Sequence, residues 1–261
     1  MLIVISPAKK LDWTKTGSEV TEPRMQDQAN LLATRARELS ADDLKRLMRL
    51  SDKLAVLNRE RFAEMDEAST PENSRAAAEA FAGDTYQGLD WASLDDDARR
   101  FADGHLRILS GLYGVLRPRD AIQPYRLEMG TRLATDRGKS LYDFWGDRIA
   151  RTLAEDAAQT GSDVLLNCAS QEYFGAVDTD ALGLRVTTPR FLDEKNGEAK
   201  MISFHAKRAR GAMARFVCEH RITSPEGLQD FDGGGYVYTP SLSDPDAPAF
   251  FRSAEAAARA A

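Results

Sequence analysis

The chain has 261 residues, which suits one large domain or two small ones and allows a substantial core. Hydrophobic residues make up 43% and charged residues 29%, which excludes a disordered chain, and no stretch approaches the roughly 20 apolar residues of a membrane span. A net charge of -6 argues weakly against nucleic acid as a partner, but binding depends on where the basic groups sit.

The first residues, Leu2-Ile3-Val4-Ile5, predict a buried strand ended by Ser6-Pro7, too short for a signal peptide and without a preceding Lys or Arg. A helix is expected over 25–39. Ser40 is a good N-cap for the next helix, which carries Leu44, Leu47 and Met48 on one face. Ser51-Asp52 interrupts the pattern, and a further helix carries Leu54, Leu57 and Phe62. Pro71 opens another helix, expected to run through Ala76-Ala77-Ala78 to Phe81. The stretch 105–116 is apolar and punctuated by Gly111 and Gly114, and Pro118, Pro124, Gly130 and Gly138 cut the next stretch into turns. A helix over 141–158 and a buried strand at Val164-Leu165-Leu166 come next. Two strands, 185–192 and 199–204, are joined by Glu194-Lys195-Asn196-Gly197, where Asn-Gly signals a hairpin. A basic amphipathic helix is expected over 206–219, and an alanine-rich helix over 253–261. The alternation lacks a clean βαβ rhythm, so the fold class is mixed α/β without an assured doubly wound sheet.

Several chemistries are excluded. The chain has no P-loop, no G-x-G-x-x-G after the first strand, no G-x-S-x-G, no C-x-x-C and no H-E-x-x-H. His105, His205 and His220 are scattered, and Cys168 and Cys218 stand alone. No metal and no cofactor is expected, and the isolated cysteines fit a reducing cytoplasm.

Six segments remain candidates for chemistry. Ser6-Pro7-Ala8-Lys9 follows a strand, where ligands of α/β proteins gather, against the alternative of a solvated lysine. The helix–break–helix over 41–62, with Lys53 after the break, suits backbone N–H contacts to DNA phosphates or a plain helix pair. Gly111 and Gly114 suit either close phosphate approach or a bulged strand with a turn. Arg126 and Glu128, two apart, point the same way on a strand and either pair structurally or flank a ligand. Ser170, Glu172 and Tyr173 follow the second buried strand, and Ser170 is equally a helix cap. Lys207 and Arg210 share a helix face widened by Arg208, while Ala206, Ala209 and Gly211 let another backbone come close.

Taken together, Ser6-Pro7-Ala8-Lys9, Ser51-Asp52-Lys53-Leu54-Ala55, the segments 109–118 and 124–130, Leu141-Tyr142 with Phe144-Trp145-Gly146, Leu192-Asp193-Glu194-Lys195-Asn196-Gly197 and 206–211 resemble the peroxide stress protein YaaA family, from Met1 to about Tyr238. The resemblance implies a cytoplasmic bacterial protein of hydrogen peroxide defence, linked to low free iron and to DNA repair. It implies a compact mixed α/β fold with a basic cleft and a helix-hairpin-helix element, placed at 41–62 with Gly111–Gly114 as the fallback. It also implies binding to double-stranded DNA without marked sequence preference. Cys168, Lys10 and His205 depart from the residues expected there, and the tail from about 240 matches nothing.

The reading is therefore one domain over 1–261 and a non-catalytic DNA binder, with Lys9, Lys53, Arg126, Lys207, Arg208 and Arg210 lining the cleft. The competing reading is an enzyme acting on a nucleotide or nucleobase, with Ser6, Glu128, Ser170, Glu172 and Tyr173 in a pocket. Iron binding has no ligand spacing to support it. No membrane partner is expected, and the sequence does not give the oligomeric state.

Overall fold

The computed structural model describes residues 1–14 and 19–259. The chain begins with β1 (Leu2–Ile5), then α1 (Gln26–Arg37), α2 (Ala41–Met48) and α3 (Asp52–Glu64). Ser40 starts α2 with a capping box shared with Asp43, and the Ser51 hydroxyl caps α3. Next come β2 (Arg75–Ala76), α4 (Ala77–Ala80), α5 (Asp84–Leu89), α6 (Asp96–His105), β3 (Leu106–Ser110), β4 (Gly114–Leu116) and β5 (Ala121–Ile122). After these lie α7 (Leu141–Trp145), α8 (Arg148–Thr160), β6 (Val164–Cys168), α9 (Gln171–Phe174), α10 (Thr179–Leu182), β7 (Arg185–Thr187), β8 (Arg190–Lys195) and β9 (Glu198–Lys200). The chain closes with α11 (Ser203–His220), β10 (Val237–Tyr238), β11 (Ala249–Arg252) and α12 (Ala254–Arg259).

The central sheet has the order β4-β3-β1-β6-β7. β1 runs parallel to both neighbours, with Ile5 opposite Ile108 on one side and Cys168 on the other. All residues of β1, β3 and β6 are buried, which is why they read as continuous apolar runs. The chain leaves β1 toward β3, then crosses back to lay β6 on the other side. The carboxyl ends of β1 and β6 therefore frame a topological switch point, the place where such sheets leave a crevice. Asp156 of α8, 2% exposed, sits between Arg107 of β3 and Arg24 at 2.5 and 2.6 Å, which ties a flanking helix to the sheet.

Four sequence expectations are corrected. The helix from Pro71 is a turn followed by β2 and the single helical turn of α4, because the N–H groups of Ala77 and Ala78 bond to the carbonyls of Asp120 and Pro118. The helix over 141–158 is two helices, broken at Gly146, whose φ of 52° and ψ of -126° no helix contains. The strand over 185–192 is split between sheets at Pro189, which has no N–H to donate. β7 edges the central sheet, and β8 lies inside a second sheet of order β10-β11-β8-β9. The strand over 199–204 stops at Lys200, and Phe204 already belongs to α11. The Asn196-Gly197 hairpin forms, with both residues at positive φ. The tail folds as well: β11 pairs with β8, and α12 comes after it, with residues 260–261 of the alanine-rich stretch outside the described residues.

Candidate anion-binding site

The first residue after β1 is Ser6, and Ser170 lies two residues beyond β6. The Ser6 hydroxyl accepts the Ser170 backbone N–H at 2.9 Å and donates to the Ser170 hydroxyl at 3.4 Å. Ser170 occupies the N-cap position of α9, yet its side chain makes no cap bond, so the helix-cap role does not apply to its hydroxyl. Tyr86 of α5 donates to the Ser6 carbonyl at 3.3 Å and fixes the turn from the opposite side. Tyr86 interacts with the Tyr125 and Tyr173 phenols, and burial raises all three above the ordinary phenol range, so they are neutral.

Beside these phenols lies a charged cluster. Glu128 forms an ion pair with Lys9 and lies 3.7 Å from the guanidinium of Arg126. Arg126 and Glu128 are each 17% exposed in their side chains, whereas Lys9 is mostly solvated. Their pairing matches the expectation from their spacing, although no strand spans them. Arg61, from the last turn of α3, is half-buried and has no hydrogen bond or ion pair among the described residues. Burial, and then the charge of Arg126, lowers its pKa. Arg61 and Tyr86 have no signal in the sequence, because nothing in helices α3 or α5 marks them as neighbours of Arg126 or Ser6.

Glu172 is tied down. Its carboxylate accepts the Gly130 N–H at 3.0 Å, and its carbonyl accepts the Tyr142 hydroxyl at 2.9 Å. Arg210, on α11, is half-buried next to Cys168 and lacks any carboxylate partner among the described residues. Burial depresses its pKa, and burial pushes the Cys168 thiol up to about 12.

Thus Ser6, Lys9, Arg126, Glu128, Ser170, Glu172 and Tyr173 form a connected set, and Arg210 adjoins the end of β6. Lys207 and Arg208 are exposed on the first turns of α11, and Lys53 is exposed on the first turn of α3. None of the three touches this set. The small residues of α11 do let another backbone come close, and it is that of α5. A Cβ on Gly211 would lie 1.8 Å from the Thr85 carbonyl oxygen, and one on Gly88 2.0 Å from that of Arg208, so α5 and α11 pack backbone to backbone.

The fallback at Gly111 and Gly114 is corrected: Gly111 is buried in the turn joining antiparallel β3 and β4, against Leu127, and Gly114 opens β4, buried against Met25 and Trp145. α2 and α3 do form a packed helix pair, turned by Arg49 in the left-handed region and bridged by Lys45 and Asp52 at 2.5 Å. A cavity of about 500 Å³ lined by Arg215, Phe216, Glu219, His220, Asp230 and Phe231 includes no residue of the switch point. No helix among the described residues is long and apolar enough to cross a membrane.

A family model described as peroxide stress protein YaaA matches residues 1–242. The chain belongs to the peroxide stress protein YaaA family. A UPF0246 protein of Ruegeria pomeroyi is 60% identical over 252 residues, covering 97% of this chain and 98% of the relative. One from Roseobacter denitrificans is 58% identical over 254 residues, with 97% and 98% covered, and one from Jannaschia is 56% identical over 261 residues, with 100% of both covered. Membership in the YaaA family supports a role in the peroxide stress response. The YaaA match takes in both strands of the switch point and all of α11, and ends before β11.

Proposed function

We propose that this YaaA-family protein binds double-stranded DNA, largely without sequence preference, in the cytoplasm, and so limits iron-driven oxidative damage during peroxide stress. The observation that carries the reading is the cluster in which Lys9 and Arg126 both face the Glu128 carboxylate and Arg61 lies near Arg126. The partly buried guanidinium groups of Arg61 and Arg126 outnumber the Glu128 carboxylate, an excess that favours an added anion, and a chain of net charge -6 has carboxylates in plenty that stand elsewhere. Phosphates are the fitting anion for guanidinium groups, and backbone contacts of this kind carry affinity without sequence information. Lys53, Lys207 and Arg208 are exposed and unpaired among the described residues and add positive charge at two helix ends, with Lys53 on the α2–α3 pair.

The test is fluorescence anisotropy of a labelled duplex across a salt series, with the parent and a variant carrying Lys53→Ala, Lys207→Ala and Arg208→Ala. These side chains are exposed, so folding is preserved. The parent binds with a steep salt dependence, and the variant binds more weakly with a slope smaller by about one unit per lost phosphate contact. A parent that fails to bind at low salt removes the reading.

A further inference from the structure

We propose that the crevice between the carboxyl ends of β1 and β6 holds a phosphomonoester, the group carried by nucleoside monophosphates and by the 5′ end of a DNA strand, with Arg210 and the Ser170 hydroxyl as its donors. Its donors are other residues than Lys9, Arg61 and Arg126, and it does not rest on duplex binding.

Arg210 is the first support. It is half-buried, its guanidinium has five N–H donors, and none of them meets an acceptor among the described residues. Its one close electrostatic neighbour, Cys168, is a protonated thiol and brings no negative charge. Most other arginines packed against this sheet are answered: Arg107 and Arg24 by Asp156, Arg117 by Asp120, Arg119 by Asp103. A half-buried guanidinium with no carboxylate beside it favours an anion there, and its planar fork matches phosphate oxygens.

Ser170 is the second. Its hydroxyl accepts from Ser6, makes no helix-cap bond, and keeps its own proton free to donate. Ser6 is fully engaged, with its oxygen on the Ser170 N–H and its proton on the Ser170 oxygen, so it orients Ser170 and does not compete for the anion. The third support is position. Ile5 and Cys168 are register partners, so Ser170 and Arg210 approach the same strand ends at the switch point of the sheet. A carboxylate ligand would satisfy the fork alone. A phosphomonoester has further oxygens, and so also meets the hydroxyl.

Titration calorimetry of the full chain with AMP, adenosine and inorganic phosphate tests the site, beside anisotropy with duplexes bearing or lacking 5′-phosphates. AMP, or the 5′-phosphorylated duplex over its unphosphorylated form, is bound in preference, and Arg210→Met weakens that preference about tenfold or more. An effect on AMP assigns the site to free nucleotides, and an effect confined to the phosphorylated duplex assigns it to strand ends. Binding of the unphosphorylated duplex by the parent is read separately, which distinguishes failure of this proposal from failure of the duplex reading. If Arg210→Met does not fold, Ser170→Ala decides, because it removes a hydroxyl without a cap bond and keeps the Ser170 N–H on the Ser6 oxygen. The proposal is overturned if neither probe prefers the phosphate, or if the deciding variant binds as the parent does.

Discussion

The Ser6 hydroxyl accepts the backbone N–H of Ser170 at 2.9 Å across 164 residues of sequence, and so clamps the exits of two adjacent parallel strands. In Ser6→Ala that N–H loses its acceptor at a part-buried position. The expected cost is about 1–2 kcal/mol. It reads as a lower urea midpoint at unchanged slope, since the surface exposed on unfolding stays the same. A midpoint equal to the parent's would show that the clamp contributes nothing.

Gly211 permits the contact that brings Tyr86 to the site. A methyl group there would overlap the Thr85 carbonyl, backbone that cannot move without parting α5 from α11. Gly211→Ala is therefore expected to destabilise by about 3 kcal/mol or more. Gly104→Ala is the control: within α6, its nearest foreign atom would be 3.9 Å away, and it gains helix propensity of up to about 1 kcal/mol. Thermal melts of both variants check the pair, and equal losses would sink the packing argument.

How much the sequence made legible depends on how local each signal is. The burial of β1, the caps at Ser40 and Ser51 and the Asn196-Gly197 turn depend on neighbours within a few residues, and each was readable. The positions of Ser6 and Ser170 after strands were readable too, because strand ends carry a positional rule. Lost to the sequence was everything decided by distant chain. Residues 71–81 have helical composition, but their donors go to Pro118 and Asp120. Gly211 signalled the close approach of another backbone, but not that the backbone would be that of α5. Arg61 meets Arg126 only because α3 folds back, so no motif announces it. The family resemblance carried what such local signals could not, and the family match covers the same residues through to Leu242.

Membership in a peroxide stress family raises the question of thiol chemistry, and the structure answers with two inert cysteines. Cys168 and Cys218 are buried, and desolvation pushes each thiol up to about 12. The thiolate is the species that attacks both peroxide and alkylating agents, so almost none is present at neutral pH. Iodoacetamide at pH 8 is expected to leave both unlabelled in the native protein and to label both in guanidinium, as counted by intact mass. Hydrogen peroxide should likewise leave both thiols unoxidised, as counted by iodoacetamide labelling in guanidinium after the peroxide is removed. Rapid native labelling of either cysteine would reopen a direct sensing role.

His105 gives the fold a defined response to acid. Its Nδ1 lies 3.0 Å from the Met1 carbonyl, its ring stacks on Phe101 with centroids 4.0 Å apart, and burial holds its pKa below the ordinary histidine value. The folded state thus takes up the proton less readily than the unfolded chain. The contribution of the neutral ring is complete above the unfolded value of about 6.5 and is lost as the pH falls through the lower folded value. His105→Gln keeps a hydrogen-bond donor and removes the titration. The parent is expected to be the more stable at pH 7.5, with the gap in urea midpoint narrowing toward pH 5. Because the ring is only half-buried, the pH-dependent part should stay below about 1 kcal/mol. Burial raises the carboxyls of Asp103 and Asp120, which act in the opposite sense, but both are present in the two proteins and cancel in the difference. A gap that stays constant from pH 7.5 to 5 would mean that His105 titrates alike in the folded and unfolded chain, and that its stacking and hydrogen bond, not its charge, account for its place in the fold.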